Sequence, residues 1–227
     1  MEAKGDIPKD VLAEKIDHTL LKKEATKEEI KNLCEEAIKY NFKAVCVYPH
    51  QISWVKEFLK EKKTIPIAVI DFPMGEKTPQ EKEKQTKAAK SAGAKEIDMV
   101  IDISSLQKKN YKKVFEGIQK VVLAAHPFLV KVIIEANKLS REEKIIACAL
   151  AKAGGAMYVK TGTGCFGGVQ EEDVILMKEI VGESMGVKAS GGIKTKEQAN
   201  QMIHAGADRI GASSSIQIME GYNSHTS

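Results

Sequence analysis

Lys152-Ala153-Gly154-Gly155-Ala156-Met157-Tyr158-Val159-Lys160-Thr161-Gly162-Thr163-Gly164 reads as the end of a helix, a glycine stop, a short strand and a glycine-rich loop. Glycine just past a helix accepts the left-handed backbone that closes it. The same cadence stands before two other apolar runs, at Ser91-Ala92-Gly93-Ala94 and His204-Ala205-Gly206-Ala207. A punctuation that recurs in this way points to repeated strand–helix units.

Working outward from this stretch, eight candidate strands appear: residues 16–21, 43–48, 65–71, 96–101, 129–135, 156–161, 186–189 and 208–211. Several are almost continuously apolar, such as Ala44-Val45-Cys46-Val47, which suits parallel strands covered on both faces. The segments between them have helical period and legible starts. Thr26-Lys27-Glu28-Glu29 is a capping box, in which the threonine accepts an amide of the first turn and Glu29 reaches back. Ser140-Arg141-Glu142-Glu143 and Thr195-Lys196-Glu197-Gln198 repeat it, and Pro79 suits a first helical turn. Eight such units in 227 residues predict a single (β/α)8 TIM barrel spanning residues 1–227. An extra short N-terminal helix is expected at about residues 9–15, and a flexible tail at about 220–227. A doubly wound open sheet would call for a glycine-rich turn after the first strand, and Asp17-His18-Thr19-Leu20-Leu21-Lys22 has no glycine.

Bulk composition excludes several functions. Hydrophobic residues make up 43% and charged residues 29%, with no run approaching a membrane span. The polar start from Met1 to Lys9 lacks the apolar core of a secretory signal, so a cytoplasmic location is expected. The net charge of +4 is spread over scattered lysine doublets rather than one basic face, which argues against nucleic acid as partner. Cys34, Cys46, Cys148 and Cys165 show no metal-type spacing, and Cys34 and Cys148 fall within amphipathic helices. No metal or organic cofactor is expected.

In this fold the chemistry sits at the C-terminal ends of the strands. There the chain places Asp17 and Thr19, Cys46, Asp71, Asp98 and Asp102, Lys131 and Glu135, Lys160 and Thr161, Lys188 and Ser190, and Ser213 and Ser214. Lysine is common in this chain, so a helix lysine carries little information. Lys160 and Lys188 differ, because each stands in an apolar strand and leads into a glycine loop. A free lysine is only about 0.04% neutral at pH 7. Burial and a neighbouring ammonium both disfavour its charged form, so Lys188 on the adjacent strand would turn Lys160 into a nucleophile. Asp98, inside the apolar run Ile97-Asp98-Met99, would relay protons or serve as counter-ion to Lys131 or Lys160, and the two roles are compatible. Thr161-Gly162-Thr163-Gly164, Ser190-Gly191-Gly192 and Gly211-Ala212-Ser213-Ser214 resemble phosphate cradles, since glycine lets backbone amides approach an anion.

These motifs, taken in order, resemble the deoxyribose-phosphate aldolase family. They run from Ile16-Asp17-His18-Thr19-Leu20-Leu21-Lys22 through Phe72-Pro73-Met74-Gly75, Glu96-Ile97-Asp98-Met99-Val100, Lys131-Val132-Ile133-Ile134-Glu135, Val159-Lys160-Thr161 and Gly186-Val187-Lys188-Ala189-Ser190-Gly191-Gly192 to Ala207-Asp208-Arg209-Ile210-Gly211. The resemblance covers about residues 12–218. It implies a lyase of carbohydrate and deoxynucleotide catabolism, cleaving 2-deoxy-D-ribose 5-phosphate reversibly to acetaldehyde and D-glyceraldehyde 3-phosphate without a cofactor. It further implies Lys160 as Schiff-base lysine, Lys188 as the lysine acting on it and Asp98 as proton relay. Asp17, Thr19 and Cys46 would line the pocket, Lys131 would support it, and Gly164, Gly191, Gly192, Ser213 and Ser214 would hold phosphate. A homo-oligomer, dimer or tetramer, is the family's habit. The alternatives are a Schiff-base aldolase for another phosphorylated sugar or keto acid, and a sugar-phosphate-binding barrel without catalysis. The chain departs from the family at Asp71, at Ala136-Asn137-Lys138, at Gly162 and at Cys165, and its Tyr222 has no clear alignment.

Overall fold

The computed structural model describes residues 5–223. The strands are β1 (Ile16–Thr19), β2 (Ala44–Val47), β3 (Ile65–Ile70), β4 (Glu96–Val100), β5 (Leu129–Ile133), β6 (Tyr158–Lys160), β7 (Gly186–Ser190) and β8 (Arg209–Ala212). They pair in chain order, every pair parallel, and β8 closes on β1. All eight overlap the expected segments, β1 to β6 ending one or two residues earlier and β7 and β8 one residue later, and the architecture is a TIM barrel. The helices are α1 (Lys9–Ala13), α2 (Lys27–Lys39), α3 (Ile52–Phe58), α4 (Pro79–Ala92), α5 (Ile103–Gln107), α6 (Tyr111–Ala125), α7 (Arg141–Ala153), α8 (Glu171–Val181), α9 (Lys196–His204) and α10 (Ser215–Glu220). Helix α1 is the extra N-terminal one. Helix α5 is a further turn within the β4–α6 connection, started by Asp102, whose carboxylate accepts the Ser105 amide.

The caps at Thr26, Ser140 and Thr195 form as expected, and Thr78 adds another before Pro79. Alternation along each strand divides the side chains between two cores. Val45, Val47, Ala68, Ile70, Ile97, Met99, Val132, Val159 and Val187 face the helices and join the main apolar core. Ala44, Cys46, Ile67 and Val69 form a separate small cluster within the barrel. Cys34 and Cys148 are buried free thiols on helices, as small hydrophobes would be.

Of the tail expected to be flexible, residues 224–227 lie outside the described ones, and within the rest the Tyr222 hydroxyl donates to the Ile7 carbonyl at 2.6 Å. Among the described residues no helix is long and apolar enough to cross a membrane.

Candidate active site

Strand register brings the charges together. Lys160 on β6 stands opposite Lys188 on β7, and Asp98 on β4 opposite Lys131 on β5. Lys188 stands in turn opposite Arg209 on β8. All five project into the barrel, where Glu96 and Asp17 join them. Gly211 makes the space for this, because a Cβ there would lie 2.9 Å from Lys188 Cε.

Asp98 is the hub. Its Oδ1 accepts Lys131 Nζ at 3.0 Å, and its Oδ2 accepts Lys160 Nζ at 3.0 Å and Lys188 Nζ at 2.7 Å. Lys188 also pairs with Asp17 Oδ2 at 2.6 Å. Arg209 pairs with Asp17 and, at 3.1 Å, with Glu96, which Lys131 also contacts. Burial works against the charge of Asp98, but Lys131, Lys188 and Lys160 outweigh it and hold the carboxyl well below its ordinary range. Burial likewise opposes the Lys188 ammonium, yet Asp17 and Asp98 prevail and raise its pKa beyond the usual lysine value. Lys188 is therefore a fixed positive charge at every pH of interest.

Lys160 shares an Asp98 oxygen with Lys188, the counter-ion role expected of Asp98. Asp98 is thus counter-ion to three lysines, and the interior places three carboxylates (Asp17, Glu96, Asp98) among four cations (Lys131, Lys160, Lys188, Arg209). Lys160 holds the weakest position in that network, with a single, shared carboxylate contact. It is also the member that reaches open space.

That space is a cavity of about 380 Å³ at the C-terminal end of the barrel. Of the residues singled out in the sequence, Lys160, Thr19, Ser190, Gly164, Gly191, Gly192 and Ser213 line it. Lys188, Asp98 and Lys131 lie beneath its floor, buried. The other expected residues stand off this cavity. Asp17 does not face the cavity, because Arg209 and Lys188 occupy its carboxylate deep in the barrel. Cys46 is fully buried in the apolar cluster, and burial pushes its thiol up to about 11. Thr161 ties two strands together: its hydroxyl donates to the Ser190 carbonyl and accepts the Ser190 amide, both at 3.0 Å. Ser214 precedes α10 and does not line the cavity.

Thr163 of the expected glycine loop also lines the cavity, as do Tyr48, Phe72, Pro73, Cys165 and Lys194, which sequence reasoning missed. All lie on loops beyond the strand ends. A hydrophobic or cationic residue two to four places past a strand, as in Phe72-Pro73 or Ile193-Lys194, is the signal that could have found them. The glycine loops after β6 and β7 approach each other closely. Gly164 (φ 84°) and Gly191 (φ 116°) adopt left-handed backbone that disfavours other residues. A Cβ on Gly191 would lie 3.2 Å from the Gly167 carbonyl oxygen. Glu135 anchors the first of these loops, its Oε2 accepting the Thr163 amide at 3.0 Å and hydroxyl at 2.6 Å. Gly162 fits this arrangement, since a Cβ there would come within 2.7 Å of Glu135 Oε1.

Residues 11–222 match the model of the DeoC/LacD family aldolases. The deoxyribose-phosphate aldolase of Thermococcus gammatolerans is 52% identical over 215 residues, covering 92% of this chain and 96% of that protein. That of Staphylococcus epidermidis is 49% identical, covering 94% and 98%. The tetrameric deoxyribose phosphate aldolase of Aeropyrum pernix superposes with a TM-score of 0.89 at 31% identity, covering 96% of this chain and 93% of that one. With its closed barrel, its buried lysines and a family match over nearly its whole length, the chain belongs to the DeoC/LacD aldolase family.

Proposed function

We propose that the protein is a lyase that reversibly cleaves 2-deoxy-D-ribose 5-phosphate to acetaldehyde and D-glyceraldehyde 3-phosphate, with Lys160 as the Schiff-base lysine. The observation that carries this is the position of Lys160. Four cations face three carboxylates, and of those four Lys160 alone lines the cavity and holds only one, shared carboxylate contact. Lys188 contributes a permanent positive charge, and Lys131 and Arg209 hold the carboxylates on the far side.

The chemistry follows from that amine. Lys160 Nζ adds to the C1 carbonyl of the open-chain sugar, and the carbinolamine loses water to give an iminium. A cavity water takes the proton of the C3 hydroxyl, and the C2–C3 electron pair flows into the iminium, releasing D-glyceraldehyde 3-phosphate. The enamine left on Lys160 takes a proton at C2, and water then frees acetaldehyde. Asp98, 3.0 Å from Nζ, stays a carboxylate and guides protons between the amine and cavity water through its hydrogen bonds. Gly164, Gly191, Gly192 and Ser213 offer backbone amides and a hydroxyl for the phosphate, with Lys194 at the rim as a cation.

The reading includes a homo-oligomer, dimer or tetramer, supported by the tetrameric Aeropyrum relative, and a cytoplasmic site of action. A coupled assay on deoxyribose 5-phosphate, run with and without a chelator, tests the reaction. Turnover indifferent to chelator is expected. Turnover of a different phosphorylated aldehyde or keto acid in preference to this one would overturn the assignment.

A further inference from the structure

The loop between β3 and α4, residues 71–78, supplies Phe72 and Pro73 to the cavity wall. Its first residue stands in an unusual conformation. Asp71 has φ 53°, in the left-handed region where glycine is the easy choice. Its carboxylate is buried, and Oδ2 accepts the Lys77 amide at 2.8 Å. The same oxygen lies 3.2 Å from Lys82 Nζ. Lys82 stands in the first turn of α4 and is only 2% exposed. It also donates to the Gly75 carbonyl at 3.1 Å and the Val100 carbonyl at 2.7 Å. One ammonium thus joins the start of the loop, its middle and the end of β4. Gln85, a turn further along α4, accepts the Asp71 amide at 3.1 Å.

Neither Asp71 nor Lys82 lines the cavity, and neither touches the cluster around Asp98. A lysine buried only to pack a helix on the sheet would have no need of two partners in an intervening loop. Two of the three Lys82 partners belong to the loop, and its residues Phe72 and Pro73 face the cavity. The effect reaches a second wall residue, because Phe72 meets Tyr48 edge-on with ring centroids 5.9 Å apart.

We propose that Asp71 and Lys82 form a positioning pair that sets the Phe72–Pro73 wall and, through it, the affinity for sugar phosphate. This rests on the aldolase reading for its assay. Asp71→Asn removes the charge while keeping a residue that tolerates positive φ, and Lys82→Met keeps the buried stem. Each should raise KM for deoxyribose 5-phosphate about tenfold and leave kcat within about threefold, the pattern of lost uniform binding. The double variant should cost no more than the worse single, as expected of groups that act as one. An unchanged KM in Asp71→Asn, whatever happens to Tm, would overturn the proposal, as would a fall in kcat at constant KM. Should Lys82→Met not fold, Asp71→Asn decides alone. Failure of the unmodified protein to cleave deoxyribose 5-phosphate would instead sink the aldolase reading. The pair would then be judged by amide hydrogen exchange across residues 72–77. Faster exchange in Asp71→Asn is expected, and exchange at the original rate would refute it.

Discussion

Between β2 and β3 the barrel interior is filled by Ala44, Cys46, Ile67 and Val69, whereas from β4 round to β1 it is filled by Glu96, Asp98, Lys131, Lys160, Lys188, Arg209 and Asp17. Both halves are buried, and both belong to one closed sheet. The apolar half is stabilised simply by leaving water. The charged half has no such gain, because desolvating ions offsets most of their attraction, and a hydrophobic filling would serve stability at least as well. The contrast teaches where to look for chemistry. One half of this interior is explained by folding, and the other is left needing a different explanation, which a reactive amine supplies.

The sharpest way to break the comparison is to remove that amine. Lys160→Ala should abolish cleavage, with a loss of at least about 10⁴-fold in the coupled assay. Asp98→Asn strips the hub that three lysines share, so cleavage should fall roughly 10³-fold, and a lowered melting temperature should accompany it. Lys188→Leu should cost about 10²-fold and shift the residual rate to higher pH, since a fixed ammonium no longer opposes protonation of Lys160. An unchanged pH profile would count against that role. On the apolar side, Ile67→Ala should destabilise by about 2–4 kcal/mol in urea titration while kcat stays within about threefold. A loss of activity matching that of Lys188→Leu would erase the division between the halves.

A smaller effect is written in acid. In Asp98 and Asp17 burial raises the carboxyl pKa, but the surrounding lysines and Arg209 outweigh it and hold both below the ordinary 3.8. Unfolded, these groups bind protons more readily than they do in the fold. The stability from their pairs is therefore complete above pH 3.8 and lost as pH falls through the lower folded values. The Cys46 side, with its thiol pushed up to about 11, contributes nothing in that window. Urea midpoints measured down from neutral pH should fall, and the Asp98→Asn variant should show a shallower slope.

Much of this was legible in the chain because the signals are local. Thr26 and Glu29 are three residues apart, and the continuous apolar run at Ala44–Val47 announces a covered strand by itself. The pairing of Lys160 with Lys188 was also reachable, since neighbouring strands in a barrel set neighbouring residues side by side. What escaped was long-range. Nothing in the segment around Asp17 reveals that Arg209, 192 residues away, occupies its carboxylate. Tyr222 was assigned to a loose tail for the same reason, its partner Ile7 being at the other end of the chain. Phe72 and Lys194 were missed because attention to strand ends passes over the loops that build the walls.

Chemical trapping tests most directly whether Lys160 is the nucleophilic amine. The protein is treated with acetaldehyde and borohydride at a series of pH values and mapped by peptide mass. An ethyl group confined to Lys160, already abundant near neutral pH, is the expected result. A label on Lys131, Lys188 or a surface lysine instead, or one on Lys160 that appears only in strong alkali, would contradict it.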